Sequence, residues 1–130
     1  SKLTNSGIVC NVTAVFTVEQ VESIIDKIEN DSNIIISVFA GRIADTGVDP
    51  CPIMSRCSSK LKNMNNAELL WASPRELLNI FQAESCGCDI ITVPNDLLSK
   101  INNINKNLEQ FSLETVSMFY DDATKAGYFI

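Results

Sequence analysis

The chain has 130 residues and a formal net charge of −6, a length that fits one domain, residues 1–130, with a core of its own. The acidic balance excludes nucleic acid and an anionic membrane surface as main partners, because both require a basic face. It does not exclude a small anionic ligand, which needs only a local cationic site.

The first residues, Ser1 to Ser6, read as the last turn of a helix stopped by Gly7 at its C′ position. "IVCNVTAVF", Ile8 to Phe16, is a β-branched apolar run and predicts a strand. Thr17 then caps a helix, and Gln20 stands where it closes a capping box. Val18, Val21, Ile24, Ile25 and Ile28 form the apolar face, and Asn30-Asp31-Ser32 end the helix. "NIIISVF" predicts a second strand. A loop with Gly41, Gly47, Pro50 and Pro52 follows, then a short polar helix through about Met64.

"AELLWA", Ala67 to Ala72, predicts a third strand. Ser73-Pro74-Arg75-Glu76 reads as a helix start, with serine as cap, proline at N1 and glutamate closing the box. "CDIITV", Cys88 to Val93, predicts a fourth strand, and "PNDLLSKINNI" a fourth helix. Ser112 is the expected cap of a last helix. Its apolar face is Val116, Phe119, Tyr120 and Ala123, and Gly127 closes it. The order is β-α-β-α-β-α-β-α-α, and the strands are near-continuous apolar runs. That pattern predicts an α/β protein with a parallel sheet covered on both sides.

No apolar run approaches the length of a membrane span, and no basic n-region precedes an apolar one. No membrane association and no secretion are therefore expected. The five cysteines are irregularly spaced and read as reduced thiols of a cytoplasmic protein. Cys86-Gly-Cys88 has no second matching pair, and the chain has no histidine. No metal and no cofactor are expected.

Polar residues gather just past the strand ends. In α/β barrels that face carries the active site, and phosphates are held there by loops. Arg42 follows a strand end, with Asp45 and Asp49 behind it. Arg75 follows another, beside Ser73. Arginine suits phosphate through its planar, forked donors. The plain alternative pairs Arg42 with Asp45 or Asp49, and Arg75 with Glu76 or Glu19. Asn11, Thr13 and Ser37 interrupt apolar strands. Asn11 and Thr13 are two apart and so are expected on one face. Either they satisfy neighbouring backbone or water, or they meet a hydroxyl-rich substrate. Trp71 and Phe16 are expected in the core.

"NVTAVFT", "ISVFAGRIADTGVD", "WASPRELLNIF", "DIITVPNDLL" and "SLETVSMFYDDATKAGY" resemble, in order and spacing, the C-terminal half of the transaldolase family. The resemblance implies parallel (β/α) units corresponding to the C-terminal half of a TIM (β/α)8 barrel, with an extra C-terminal helix. It implies transfer of a dihydroxyacetone unit between sugar phosphates through a lysine Schiff base. On it, Arg42, Ser73 and Arg75 hold the substrate phosphate, Asn11 and Ser37 contact substrate hydroxyls, and Thr13 positions the water or proton used with the Schiff base. Val38 stands where the family usually has proline.

The family's Schiff-base lysine lies on the strand before the one bearing Asn11, ahead of Ser1. All seven lysines of this chain, from Lys2 to Lys125, fall on predicted helices or loops. The chain begins without Met and with a headless helix, which favours a piece of a longer barrel. A half-barrel leaves two sheet edges and an apolar inner face open. It is therefore expected to form a homo-oligomer or to pair with the missing half. Two further readings remain at this point: a non-catalytic sugar-phosphate-binding or assembly module, and another phosphosugar barrel enzyme with different chemistry.

Overall fold

The four apolar runs form four strands: β1 (Cys10–Val15), β2 (Ile34–Val38), β3 (Ala67–Trp71) and β4 (Ile90–Ile91). This computed structural model describes residues 8–28 and 33–128. The expected helix end before Gly7 lies outside the described residues, as do Asn30-Asp31-Ser32; the helix after β1 ends at Ile25, with Asp26 as its C-cap, short of Ile28 and of that expected stop. Among the described residues the strands make one sheet in the order β1-β2-β3-β4, every neighbouring pair parallel. Spatial order equals chain order. That is how a barrel wall is wound; a doubly wound sheet reverses direction at a switch point. The fold is a run of (β/α) units, the wall of part of a (β/α)8 barrel.

The two sheet faces differ. Ile34, Ile36 and Val38 of β2 and Leu69 and Trp71 of β3 are buried against one helical layer. That layer supplies Val18 and Val21 from α1 (Val18–Ile25), and Met54, Cys57 and Leu61 from α3 (Cys51–Leu61). Burying each large apolar side chain stabilises the fold by about 1.5–3 kcal/mol, so this layer is the main source of stability. Alternate residues, Asn11, Ile35, Ser37 and Leu70, take the opposite face. That face mixes Ile35 and Leu70 with the polar Asn11, Ser37 and Glu68, and Asn11 and Glu68 are exposed, so it is less covered than the apolar runs predict. Trp71 is fully buried in the core, and Phe16 packs against it half-buried.

Local signals hold where the partners are local. Thr17 Oγ1 accepts from Gln20 N–H, and Gln20 Oε1 accepts from Thr17 N–H, which is the expected capping box of α1. Four expectations need correction. The loop after β2 contains a helix of its own, α2 (Ala40–Ala44), in which Ile43 N–H donates to Phe39 O and Asp45 N–H to Gly41 O. Ser73 does not cap a helix: its φ is +59°, and α4 (Leu78–Ser85) starts five residues later. The fourth strand is confined to Ile90 and Ile91. The helix expected over Pro94–Ile104 breaks into α5 (Asn95–Leu98) and a single 3-10 turn, Ile101–Asn103.

The chain forms two compact units, one up to Leu98 and one from Ser99 onward. The second contains α6 (Leu108–Lys125). Asn107, not Ser112, is its cap, and Asn107 Oδ1 accepts from Gln110 N–H at 3.0 Å. Ser112 lies inside the helix. Gly127 ends it as expected: its φ is +81°, Tyr128 N–H donates to Ala123 O and Gly127 N–H to Thr124 O. This is the paired bonding of a left-handed glycine stop. None of the residues of α6 is buried. No helix among the described residues is long and apolar enough to cross a membrane.

Candidate functional site

The C-terminal ends of β1, β2 and β3 are laced together by main chain. Phe39 N–H donates to Val15 O at 2.8 Å, Ala72 N–H to Val38 O at 2.8 Å, and Gly41 N–H to Ala72 O at 3.2 Å. The ladder therefore continues past the last strand residues into both loops. A Cβ built on Gly41 would lie 1.5 Å from the Ser73 carbonyl oxygen. Only glycine permits that approach. Ser73 is held in the left-handed region, where a residue with a Cβ carries strain. The contact between Gly41 and Ser73 places Arg42, one residue on, in the same end of the sheet as Arg75.

Asn79 fixes the second loop from below. It is buried, and its Oδ1 accepts from Arg75 N–H at 2.7 Å and from Glu76 N–H at 3.1 Å. Its Nδ2 donates to Gln82 Oε1. The two backbone donors that a serine cap was expected to serve are thus satisfied from inside α4. An asparagine early in a helix otherwise disfavours helix, and that was the signal available in the sequence for its role.

The arginines are held differently. Arg75 Nε donates to Asp45 Oδ1 at 3.2 Å and Nη2 to Asp45 Oδ2 at 2.6 Å, a two-pronged pair that raises the guanidinium pKa further. The plain alternative pairs Arg42 with Asp45 or Asp49, and Arg75 with Glu76 or Glu19; the structure joins Asp45 and Arg75 across 30 positions of chain instead. Arg42 lies with its guanidinium carbon 5.3 Å from the centroid of the Phe39 ring, a cation–π contact. Phe39 in turn meets Phe16, ring centroids 5.7 Å apart. Both arginines are exposed.

On the opposite face of the sheet from the main core, Ser37 Oγ donates to Asn11 Oδ1 at 2.6 Å. The structure therefore brings Asn11 and Ser37 together. Thr13 departs from them. The register between β1 and β2 slips between Val12 and Val15, and Ala14 has φ +61°. Thr13 and Ala14 together occupy the space opposite one residue of β2, as in a β-bulge. Thr13 lines a shallow surface concavity with Gln20 and Ser23 of α1. Strict alternation placed it beside Asn11, and the bulge is what alternation cannot foresee.

Three of the five cysteines are kept protonated by burial. All five are free thiols. Burial pushes the Cys51 thiol up to about 12, that of Cys57 to about 11 and that of Cys88 to about 12. Such thiols stay protonated at neutral pH and are poor nucleophiles. Among the described residues no group of three His, Cys, Asp or Glu side chains is placed to hold a metal ion.

Residues 1–128 match the family described as transaldolase/fructose-6-phosphate aldolase. A probable transaldolase of Carboxydothermus hydrogenoformans is 31% identical over 100 residues, 76% of this chain and 45% of that protein. A probable transaldolase 2 of Listeria monocytogenes is 33% identical over 100 residues, 76% and 44% of the two chains. A probable transaldolase of Chelativorans sp. is 32% identical over 113 residues, 84% and 50%. The chain spans about half the length of the curated relatives it matches.

Proposed function

Because the chain belongs to the transaldolase/fructose-6-phosphate aldolase family, we propose that it is the phosphate-receiving part of a transaldolase-like enzyme acting on sugar phosphates. Arg42, Ser73 and Arg75 receive the phosphoryl group. Asn11 and Ser37 meet substrate hydroxyls, and Thr13 positions the water or proton used with a Schiff base. The observation that carries the reading is the Gly41–Ser73 approach, which brings two arginine loops to one end of a parallel sheet. Two forked cations suit an anion with several oxygens.

The covalent step requires an amine held neutral in a desolvated pocket. Every described lysine lies on a helix or loop, and none on a strand. Lys60 pairs with Glu22 at 2.7 Å, and Lys106 with Glu114. In this reading the Schiff-base lysine comes from residues other than these. The same observation favours a second reading, a sugar-phosphate-binding module without catalysis. Borohydride reduction in the presence of fructose 6-phosphate separates the two. Trapping on a lysine of the natural protein outside this chain supports the enzyme. No adduct anywhere in the natural protein leaves the module.

The reading carries a cytoplasmic setting, consistent with the free thiols. It also carries assembly through the outer sides of β1 and β4, which have no strand partner among the described residues. The phosphate claim is tested by thermal unfolding with inorganic phosphate. Binding should stabilise the chain by about 2.7 kcal/mol at a hundredfold excess over Kd, and Arg75→Ala should remove most of that gain. No shift in the wild-type chain at phosphate concentrations of tens of millimolar contradicts it.

A further inference from the structure

We propose that Asp45 is a positioning residue for the phosphate subsite: it holds one edge of the Arg75 guanidinium so that the other edge is presented, already aimed, to the phosphate. The inference rests on the phosphate-receiving reading above and deepens it.

A guanidinium carries five N–H donors in a rigid plane. Asp45 occupies Nε–H and one N–H of Nη2. The remaining three, two on Nη1 and one on Nη2, form a second fork on a different edge of the same plane. A phosphate can take that fork without displacing the carboxylate. The pair therefore does not compete for the donors the ligand needs.

Asp45 is also well placed to set direction. It is the residue that ends α2, three residues after Arg42 and four after Gly41. Its N–H donates to Gly41 O, so its backbone is fixed to the same turn that Gly41 locks against Ser73. At the other end, Asn79 holds the Arg75 backbone. Arg75 is thus pinned at its main chain by α4 and at its head by α2. A long side chain fixed at both ends has little freedom left to lose when a ligand arrives, which is how preorganisation improves binding.

The opposing effect is charge. Asp45 is an anion near an anionic ligand, so its removal relieves some repulsion. Both side chains are half exposed, 51% each, and across solvent that repulsion is strongly screened. The directional, two-pronged contact is not weakened in the same way. Orientation therefore outweighs repulsion, and removing the carboxylate should weaken phosphate binding.

The test is calorimetric titration of inorganic phosphate into the chain as wild type, Asp45→Asn, Asp45→Glu and Arg75→Ala. The expected result is a loss of about tenfold in affinity for Asp45→Asn, with Asp45→Glu recovering most of it, because the longer carboxylate still reaches the fork. A second readout needs no ligand. In 15N-labelled protein the Arg75 Nε–H should give a slowly exchanging signal in the wild type and lose that protection in Asp45→Asn, with the unfolding temperature unchanged. Affinity unchanged or tighter in Asp45→Asn overturns the proposal and makes Asp45 a bystander or a competitor. Equal Nε–H exchange in the two proteins overturns it as well. Failure of the wild type to bind phosphate contradicts the underlying reading, and Asp45 then has no subsite to position. Wild-type binding lost in Arg75→Ala but kept in Asp45→Asn leaves that reading standing and removes this inference alone.

Discussion

The loops after β2 and after β3 each carry one arginine, yet the two arginines are held in opposite ways. Arg75 is tied at both ends, by Asn79 to its main chain and by Asp45 to its head. Arg42 rests on the Phe39 ring and makes no ion pair among the described residues. One guanidinium is tied to a carboxylate, and the other leans on an aromatic ring. In the proposed phosphate site the tied member should contribute the more directional contact.

Gly41→Ala should have the largest effect, because it breaks the contact that puts both loops in one place. A methyl group cannot occupy a point 1.5 Å from the Ser73 oxygen. One loop must move, at a cost of about 3 kcal/mol or more. Urea unfolding should show that loss, and phosphate binding should go with it. A variant with wild-type stability would mean that the loops separate readily.

Asn79→Ala comes next. It leaves the Arg75 and Glu76 N–H groups without their acceptor, a loss of about 2 kcal/mol. Asn79→Asp keeps the acceptor and should lose less, since only the Nδ2 bond to Gln82 disappears. Equal losses in the two variants would show that packing, and not capping, is the function of Asn79.

The arginines themselves should separate binding from stability. Arg42→Ala and Arg75→Ala both remove exposed side chains, so each should leave the unfolding free energy within about 0.5 kcal/mol of wild type. Both should weaken phosphate binding, Arg75→Ala more, because the ordered donor is the one lost. The opposite ranking would invert the contrast drawn above.

The smallest effect concerns alkaline stability. The Cys51, Cys57 and Cys88 thiols are pushed up to about 12, 11 and 12, chiefly by burial. Their folded-state pKa values exceed the unfolded value near 8.5. The folded chain thus keeps protons that the unfolded chain releases. The resulting stability is complete below about pH 8.5 and is lost as pH rises toward 11 to 12. Cys57→Ala should flatten that alkaline fall while lowering stability at neutral pH through the lost packing. A pH profile of equal slope in wild type and variant would show that Cys57 does not drive it.

Much of the fold could be read from the sequence because its signals were local. The β-branched runs at Cys10–Val15 and Ile34–Val38, the Thr17–Gln20 box and the Gly127 stop each depend on residues a few positions apart. The misreadings share the opposite cause. Ser73-Pro74-Arg75-Glu76 has the local form of a cap, but Ser73 is drawn out of it by Gly41, 32 residues earlier in sequence. Asp45 lies nearest Arg42 in the chain, yet reaches Arg75 because α2 turns it toward the next loop. The bulge at Thr13 and Ala14 leaves no mark that spacing can detect. Ser112 was expected as the cap of α6, but the helix starts a turn earlier, where Asn107 accepts from Gln110 N–H. The candidate site was visible as a set of residue types at strand ends. Its internal wiring, which depends on contacts between separate loops, was not.

The central claim is that this end of the sheet receives a phosphoryl group. Its most direct test compares fructose 6-phosphate with fructose, titrated into 15N-labelled chain and followed by amide shifts. The account predicts saturable shifts at Gly41, Arg42, Ser73 and Arg75 with the phosphorylated sugar. It predicts no saturation with fructose at the same concentrations. Equal responses to the two sugars, or shifts confined to residues away from these loops, would contradict it.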